Sequence, residues 1–103
     1  MTIKTGAQVR LIPPEEVIYF ESDNRYTRVV HPDGEALIRT PLKELLPQLD
    51  AQAFWQVHRG TVVRAAAIDS VTRDEAGKLH LTLKGRPEKL PVSRLYAHLF
   101  RAM

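Results

Sequence analysis

A mostly β, antiparallel fold with two or three short helices is what this sequence predicts. Short apolar runs recur along the chain, separated by turn residues, and that spacing belongs to strands. One segment, Lys78–Lys84 (KLHLTLK), alternates cleanly and places Leu79, Leu81 and Leu83 on one side, as a half-buried strand does. Apolar residues adopt a helical period in only two places, so no strand–helix–strand alternation asks for a parallel sheet.

Val9–Ile12 opens the series of strands, and Pro13-Pro14 ends it, because consecutive prolines cannot continue a ladder. Val17–Glu21 (VIYFE) is the second predicted strand. Ser22-Asp23-Asn24 forms a turn cluster whose side chains can bond their own backbone. Tyr26–His31 (YTRVVH) resumes as a strand and turns at Pro32-Asp33-Gly34, where glycine supplies a positive φ. Glu35–Arg39 returns antiparallel. Thr40-Pro41 then signals a helix start, a capping hydroxyl followed by proline at the first helical position. Leu42, Leu45, Leu46 and Leu49 share one face, and Pro47 should stop or kink the helix near Leu46.

Phe54–Val57 reads as a further strand, whereas His58–Ala67 (HRGTVVRAAA) shows no clear strand pattern. Ile68–Thr72 resumes β character, Glu75-Ala76-Gly77 and Gly85-Arg86-Pro87 are turns around the alternating segment, and Lys89–Val92 is the last strand. Ser93 can cap a final helix that buries Leu95, Leu99, Phe100 and Met103, with Arg94, His98 and Arg101 outside. Together these elements predict strands in a meander.

The chain has 103 residues, the length of a single domain spanning 1–103. Its 44% hydrophobic and 26% charged residues are ordinary for a globular fold. The N-terminus lacks the apolar segment of a signal peptide, and no run approaches a bilayer span, which together lead to a cytoplasmic expectation. Cysteine is absent, so disulfides, thiolate metal sites and cysteine nucleophiles are excluded together. The net charge of +3 divides unevenly: residues 1–52 hold 6 Lys+Arg against 8 Asp+Glu, and residues 53–103 hold 9 against 4. A basic half is a footprint for a polyanion, or simply a solvated surface.

No catalytic constellation can be assembled. There is no nucleophile elbow, phosphate loop or dinucleotide fingerprint, and the four histidines, His31, His58, His80 and His98, have no metal-ligand spacing. The expectation is a protein that is not an enzyme and takes no cofactor.

Four segments, in order and with matching spacing, resemble the LytTR family of bacterial DNA-binding domains. They are IPPEEVIYFESDNRYTRVV (Ile12–Val30), TPLKELLPQL (Thr40–Leu49), FWQVHRGTVVRAAAID (Phe54–Asp69) and LPVSRLY (Leu90–Tyr96). The resemblance covers nearly the whole chain. It implies an elongated antiparallel β fold that presents loop residues to successive major grooves of double-stranded DNA, as the output domain of a transcriptional response regulator. It also implies binding to paired direct repeats, hence a homodimer on DNA, and a parent protein with a receiver domain or a membrane-bound segment.

Carried over by position, the resemblance makes Thr27, Arg59 and Arg94 the base-contacting residues. Arginine can donate two parallel hydrogen bonds to guanine, and threonine can bond a base edge or touch a thymine methyl. Arg25, Arg28, Lys43, His58, Arg64 and Ser93 are the expected backbone contacts, which set register and carry no sequence information. Arg94 beside Ser93 lies where free N–H groups of a helix start also favour phosphate. His58 can equally be a structural hydrogen-bonder beside its loop. Two positions depart from the family: Gly60 stands where serine is usual, and Arg64 where asparagine is common. Two other readings stay open, a protein-interaction or sensor module of a larger regulator and an RNA- or single-strand-binding β domain, which would need exposed aromatic platforms.

Overall fold

A computed structural model describes the backbone of residues 2–5, 8–11 and 14–100, and the side chains of residues 15–100. Among the described residues, ten strands make three antiparallel sheets. β1 (Thr2–Thr5) and β2 (Gln8–Leu11) pair as a hairpin. β3 (Tyr19–Asp23), β4 (Tyr26–His31), β5 (Gly34–Ile38), β6 (Phe54–His58) and β7 (Thr61–Arg64) form a five-stranded sheet in the order β5-β4-β3-β7-β6. β8 (Ile68–Arg73), β9 (Leu79–Leu83) and β10 (Lys89–Val92) form the third sheet, with β9 central. The dimensions, 45 × 26 × 24 Å, make the molecule elongated, as the resemblance implies.

The core explains why these residues are strands. The five-stranded sheet is covered on both faces, so its central strands alternate between two apolar clusters. Phe20, Val29 and Val62 point to one face with Val17, Ala36, Leu42, Leu45 and Phe54. Tyr19, Val30 and Val63 point to the other, against Val57, Leu81, Leu83, Leu90, Val92 and Phe100. Helix α1 (Leu42–Leu45) covers the first face and the three-stranded sheet the second. A strand buried on both sides reads as a continuous apolar run without alternation. For that reason TVVR, within the segment that shows no strand pattern, is in fact the inner strand β7.

Several boundaries differ from the sequence expectation. Hairpin β1–β2 begins earlier than Val9, and the meander is broken because β7 inserts beside β3. Pro41, not Thr40, is the N-cap of α1, and it provides no side-chain cap; the Thr40 carbonyl is instead taken by the Thr27 hydroxyl at 2.7 Å. Pro47 acts as expected: the α-helix ends at Leu45 and tightens into a 3-10 turn over Leu46–Gln48. The final helix is a 3-10 segment, Arg94–Phe100, in which Phe100 is buried and Leu99 half-buried, but Leu95 is exposed. Three residues per turn rotate Leu95 off the face that an α-helical period would give it. Met103 and Arg101 lie outside the described residues. Gly34 has φ +144°, the positive value its turn requires. Among the described residues, no helix is long and apolar enough to cross a membrane.

A polar network joins the two larger sheets. The Arg28 guanidinium on β4 contacts Glu35 at 2.9 Å, Glu21 at 3.1 Å and the Tyr19 hydroxyl at 3.1 Å. Tyr19 in turn donates to Glu88 at 3.2 Å, and Glu88 pairs with Arg86 at 2.9 Å. The hydrogen bond from Arg86 holds the Glu88 carboxyl below its ordinary range, while burial pushes the Tyr19 hydroxyl up. A carboxylate lowered in the folded state contributes stability above the ordinary carboxylate range and loses it as pH falls through the folded value. Acid should therefore loosen this junction, and Glu88→Gln should flatten the acid limb of a stability-against-pH curve measured by denaturant unfolding. The effect is small, because the pair is partly exposed to solvent.

Candidate nucleic-acid interface

The hairpin turns of the five-stranded sheet bring distant residues to one end. The β3–β4 turn holds Asn24 at φ 56° and exposes Arg25. Asparagine tolerates that left-handed backbone better than most residues. β7 runs antiparallel to β3 with Glu21 opposite Thr61, so the β6–β7 turn at Arg59-Gly60 lies beside the β3–β4 turn. The Ser22 N–H donates to the Gly60 carbonyl at 2.7 Å and ties the two turns together. β5 ends at this same end, since Thr27 pairs with Ile38, so exposed Arg39 and the start of α1 with exposed Lys43 are there as well.

A β-bulge recruits the last loop. In β6, Gln56 pairs with Val62 and His58 with Thr61, which leaves Val57 as an extra residue. A bulged residue is unpaired in the ladder. The Val57 carbonyl accepts the Ser93 N–H at 2.9 Å, and this bond fixes the end of β10 beside the β6–β7 turn. Arg94 follows at once, exposed, on the rim of a groove of about 720 Å³ whose lining includes Arg73 and Lys78. The His58 ring accepts the Gly60 N–H through Nδ1 at 3.2 Å, which braces the turn that presents Arg59. Among the described side chains, five cations, Arg25, Arg39, Lys43, Arg59 and Arg94, are exposed along one end, with the acidic Asp23 and Glu44.

The family model of the LytTr DNA-binding domain matches residues 7–103. The chain belongs to the LytTR DNA-binding domain family. Its fold agrees with a LytTr DNA-binding domain from Bacillus cereus at a TM-score of 0.87 and 26% identity, over 99% of this chain and 93% of that one. An uncharacterized response regulatory protein of Vibrio cholerae is 41% identical over 93% of this chain and 38% of its own length. The positive alginate biosynthesis regulatory protein of Pseudomonas aeruginosa is 36% identical over 91% of this chain and 38% of its own length. The chain thus spans about two fifths of the length of these curated relatives.

The LytTR domain places the sequence-derived residues unequally. Arg25, Lys43, Arg59 and Arg94 are exposed at the shared end, with His58 and Ser93 half-buried behind them. Ser93 acts through its backbone, with its carbonyl accepting the Tyr96 N–H at 3.0 Å. Thr27 is 0% exposed, and its hydroxyl donates to the Thr40 carbonyl, tying β4 to the segment that follows β5. Thr27→Val should cost about 1–2 kcal/mol by orphaning the Thr40 carbonyl, a loss that urea unfolding would register without altered base preference.

Arg28 and Arg64 both have partners within the protein. Arg28 sits inside the network of Glu21, Glu35 and Tyr19 and would have to abandon those partners to meet a phosphate. Arg64 ends β7, opposite Phe54 and away from the turns that carry Arg59. Its Nε donates to the Val17 carbonyl at 2.7 Å, and its guanidinium lies 4.7 Å from the Phe54 ring centroid. It staples the far end of the sheet. Arg28→Ala and Arg64→Ala should accordingly lower stability and leave the salt dependence of DNA binding unchanged, which titration at several salt concentrations would check.

Arg39 was not singled out from the sequence. It directly follows the returning strand, just before the Thr40–Leu49 segment, and only the pairing of Thr27 with Ile38 brings it beside the β3–β4 turn. Gly60, the other departure from the family, leaves room for a side chain, because an added Cβ would sit 3.4 Å from the Ser22 Cβ. That is ordinary contact.

Proposed function

We propose that this LytTR domain binds double-stranded DNA sequence-specifically, placing its loops in successive major grooves, within a longer regulator that controls bacterial transcription from the cytoplasm. The observation that carries the reading is the convergence of three loops, at Arg25, Arg59 and Arg94, at one cationic end of a rigid sheet. Loops on such a scaffold expose side chains to a groove while the backbone stays paired. Arg59 and Arg94 read guanine edges by paired hydrogen bonds. Arg25, Lys43 and Arg39 meet phosphates and set affinity and register. His58 and Ser93 hold the reading loops from behind. Two protomers bind paired direct repeats, and the parent protein carries a receiver or another input domain, in keeping with the response regulatory protein among its relatives.

The test is selection of bound duplexes from a random library, followed by titration of the recovered site against scrambled DNA at several salt concentrations. The expected result is one motif, present twice with fixed spacing, bound roughly a thousandfold or more tighter than scrambled DNA. Weak binding that disappears equally for all sequences as salt rises would leave only a charged surface and sink the proposal.

A further inference from the structure

The cationic end carries an apolar residue that its charges do not explain. Leu95 follows Arg94 in the first turn of the last 3-10 segment and is 75% exposed, more than Leu37 at 49% and Tyr26 at 41%, the other exposed large hydrophobics. The same segment sends Phe100 into the core and packs Leu99 against it, so a core was within reach and Leu95 stays outside it. The bond from the Ser93 N–H to the Val57 carbonyl fixes the backbone two residues before Leu95 beside the strand end that leads into the Arg59 turn. Tyr26, the first residue of β4 beside Arg25, is exposed at the same end, whereas Leu37 lies on the edge strand β5. Two of the three exposed large hydrophobics among the described residues therefore lie at the end that carries the cations.

An apolar side chain gains nothing from phosphate. In the major groove, the apolar group that a base pair offers is the C5 methyl of thymine. Building on the proposed DNA reading, we infer that Leu95 is a specificity-determining residue that packs against a thymine methyl adjacent to the base read by Arg94. Arg94 and Leu95 thus read neighbouring positions from one turn, the first by hydrogen bonds and the second by methyl contact. Burying one methyl against Leu95 corresponds to about a fourfold change in affinity.

The test uses the site recovered by library selection, with each thymine replaced in turn by deoxyuridine, which removes only the methyl. Binding is measured for the unaltered chain and for Leu95→Ala. The expected result is one thymine whose replacement weakens the unaltered chain about three- to fivefold and leaves Leu95→Ala unaffected, next to a base whose preference relaxes in Arg94→Ala. Equal responses of both proteins at every thymine would overturn the inference, even with the site still bound specifically. So would a Leu95→Ala chain that keeps its affinity for single sites but loses pairing of protomers, which would make Leu95 a protein contact. Recovery of no motif at all would remove this inference together with the DNA reading beneath it.

Discussion

Replacing both Arg59 and Arg94 by alanine is expected to remove most of the sequence preference of the domain and leave its fold intact. Each arginine contributes roughly 1–3 kcal/mol on the cognate site, and each loss should relax preference at one base position. Both side chains are exposed, so no buried partner is orphaned by their removal. If the two losses add, the arginines read separate base pairs; a shortfall would place them on a shared pair. Lysine replacements separate charge from geometry. Arg59→Lys keeps the cation and hence the salt slope, but cannot make the paired, planar contact to guanine, so specificity should fall while nonspecific binding persists. Arg25→Ala should behave in the opposite way, weakening all sequences alike and reducing the salt slope by about one. Unchanged cognate binding in both Arg59→Ala and Arg94→Ala would exclude these loops as the readers.

Much of this arrangement was legible in the sequence, and what was hidden has physical causes. Turn chemistry marked Pro32-Asp33-Gly34 and Pro47 correctly, because proline and glycine act on local backbone alone. The strand over Thr61–Arg64 was obscured because both of its faces are buried, which erases the period-2 signal. Leu95 was assigned to a core on an α-helical period that the tighter 3-10 geometry does not obey. Thr27 and Arg64 were expected at DNA from their positions along the chain, but their environments are set by partners distant in sequence: the Thr40 carbonyl for one, the Val17 carbonyl and Phe54 ring for the other. The charge imbalance between chain halves was a poor guide. Among the described residues, three of the five cations at the candidate interface, Arg25, Arg39 and Lys43, come from the acidic half, and only the strand register collects them.

Phe20→Ala is expected to be the most damaging single change to the fold. Phe20 is 0% exposed on β3, its ring centroid is 5.8 Å from that of Phe54, and it belongs to the cluster of Val29, Leu42, Leu45 and Val62. Truncating a buried phenylalanine costs about 3–5 kcal/mol, because the surrounding side chains close the hole only in part. A domain of this size is stable by roughly 5–15 kcal/mol, so the loss is a large share of the total and should lower Tm by on the order of 10–30 °C. Urea unfolding measures it directly, and a loss below about 1.5 kcal/mol would mean that α1 settles onto the sheet and refills the space. The same residue tests how the site depends on the scaffold. Phe20 lies two residues before Ser22, whose N–H holds the Gly60 carbonyl and thereby the Arg59 turn. If the cavity stays local, DNA affinity should decline only with the unfolded fraction, and the molecules still folded should bind their site at full strength. If the cavity instead loosens the end of β3, affinity should fall at temperatures where the chain is fully folded, with the preference read by Arg59 relaxing before that read by Arg94. The two outcomes distinguish a sheet that merely carries the loops from one that sets their position.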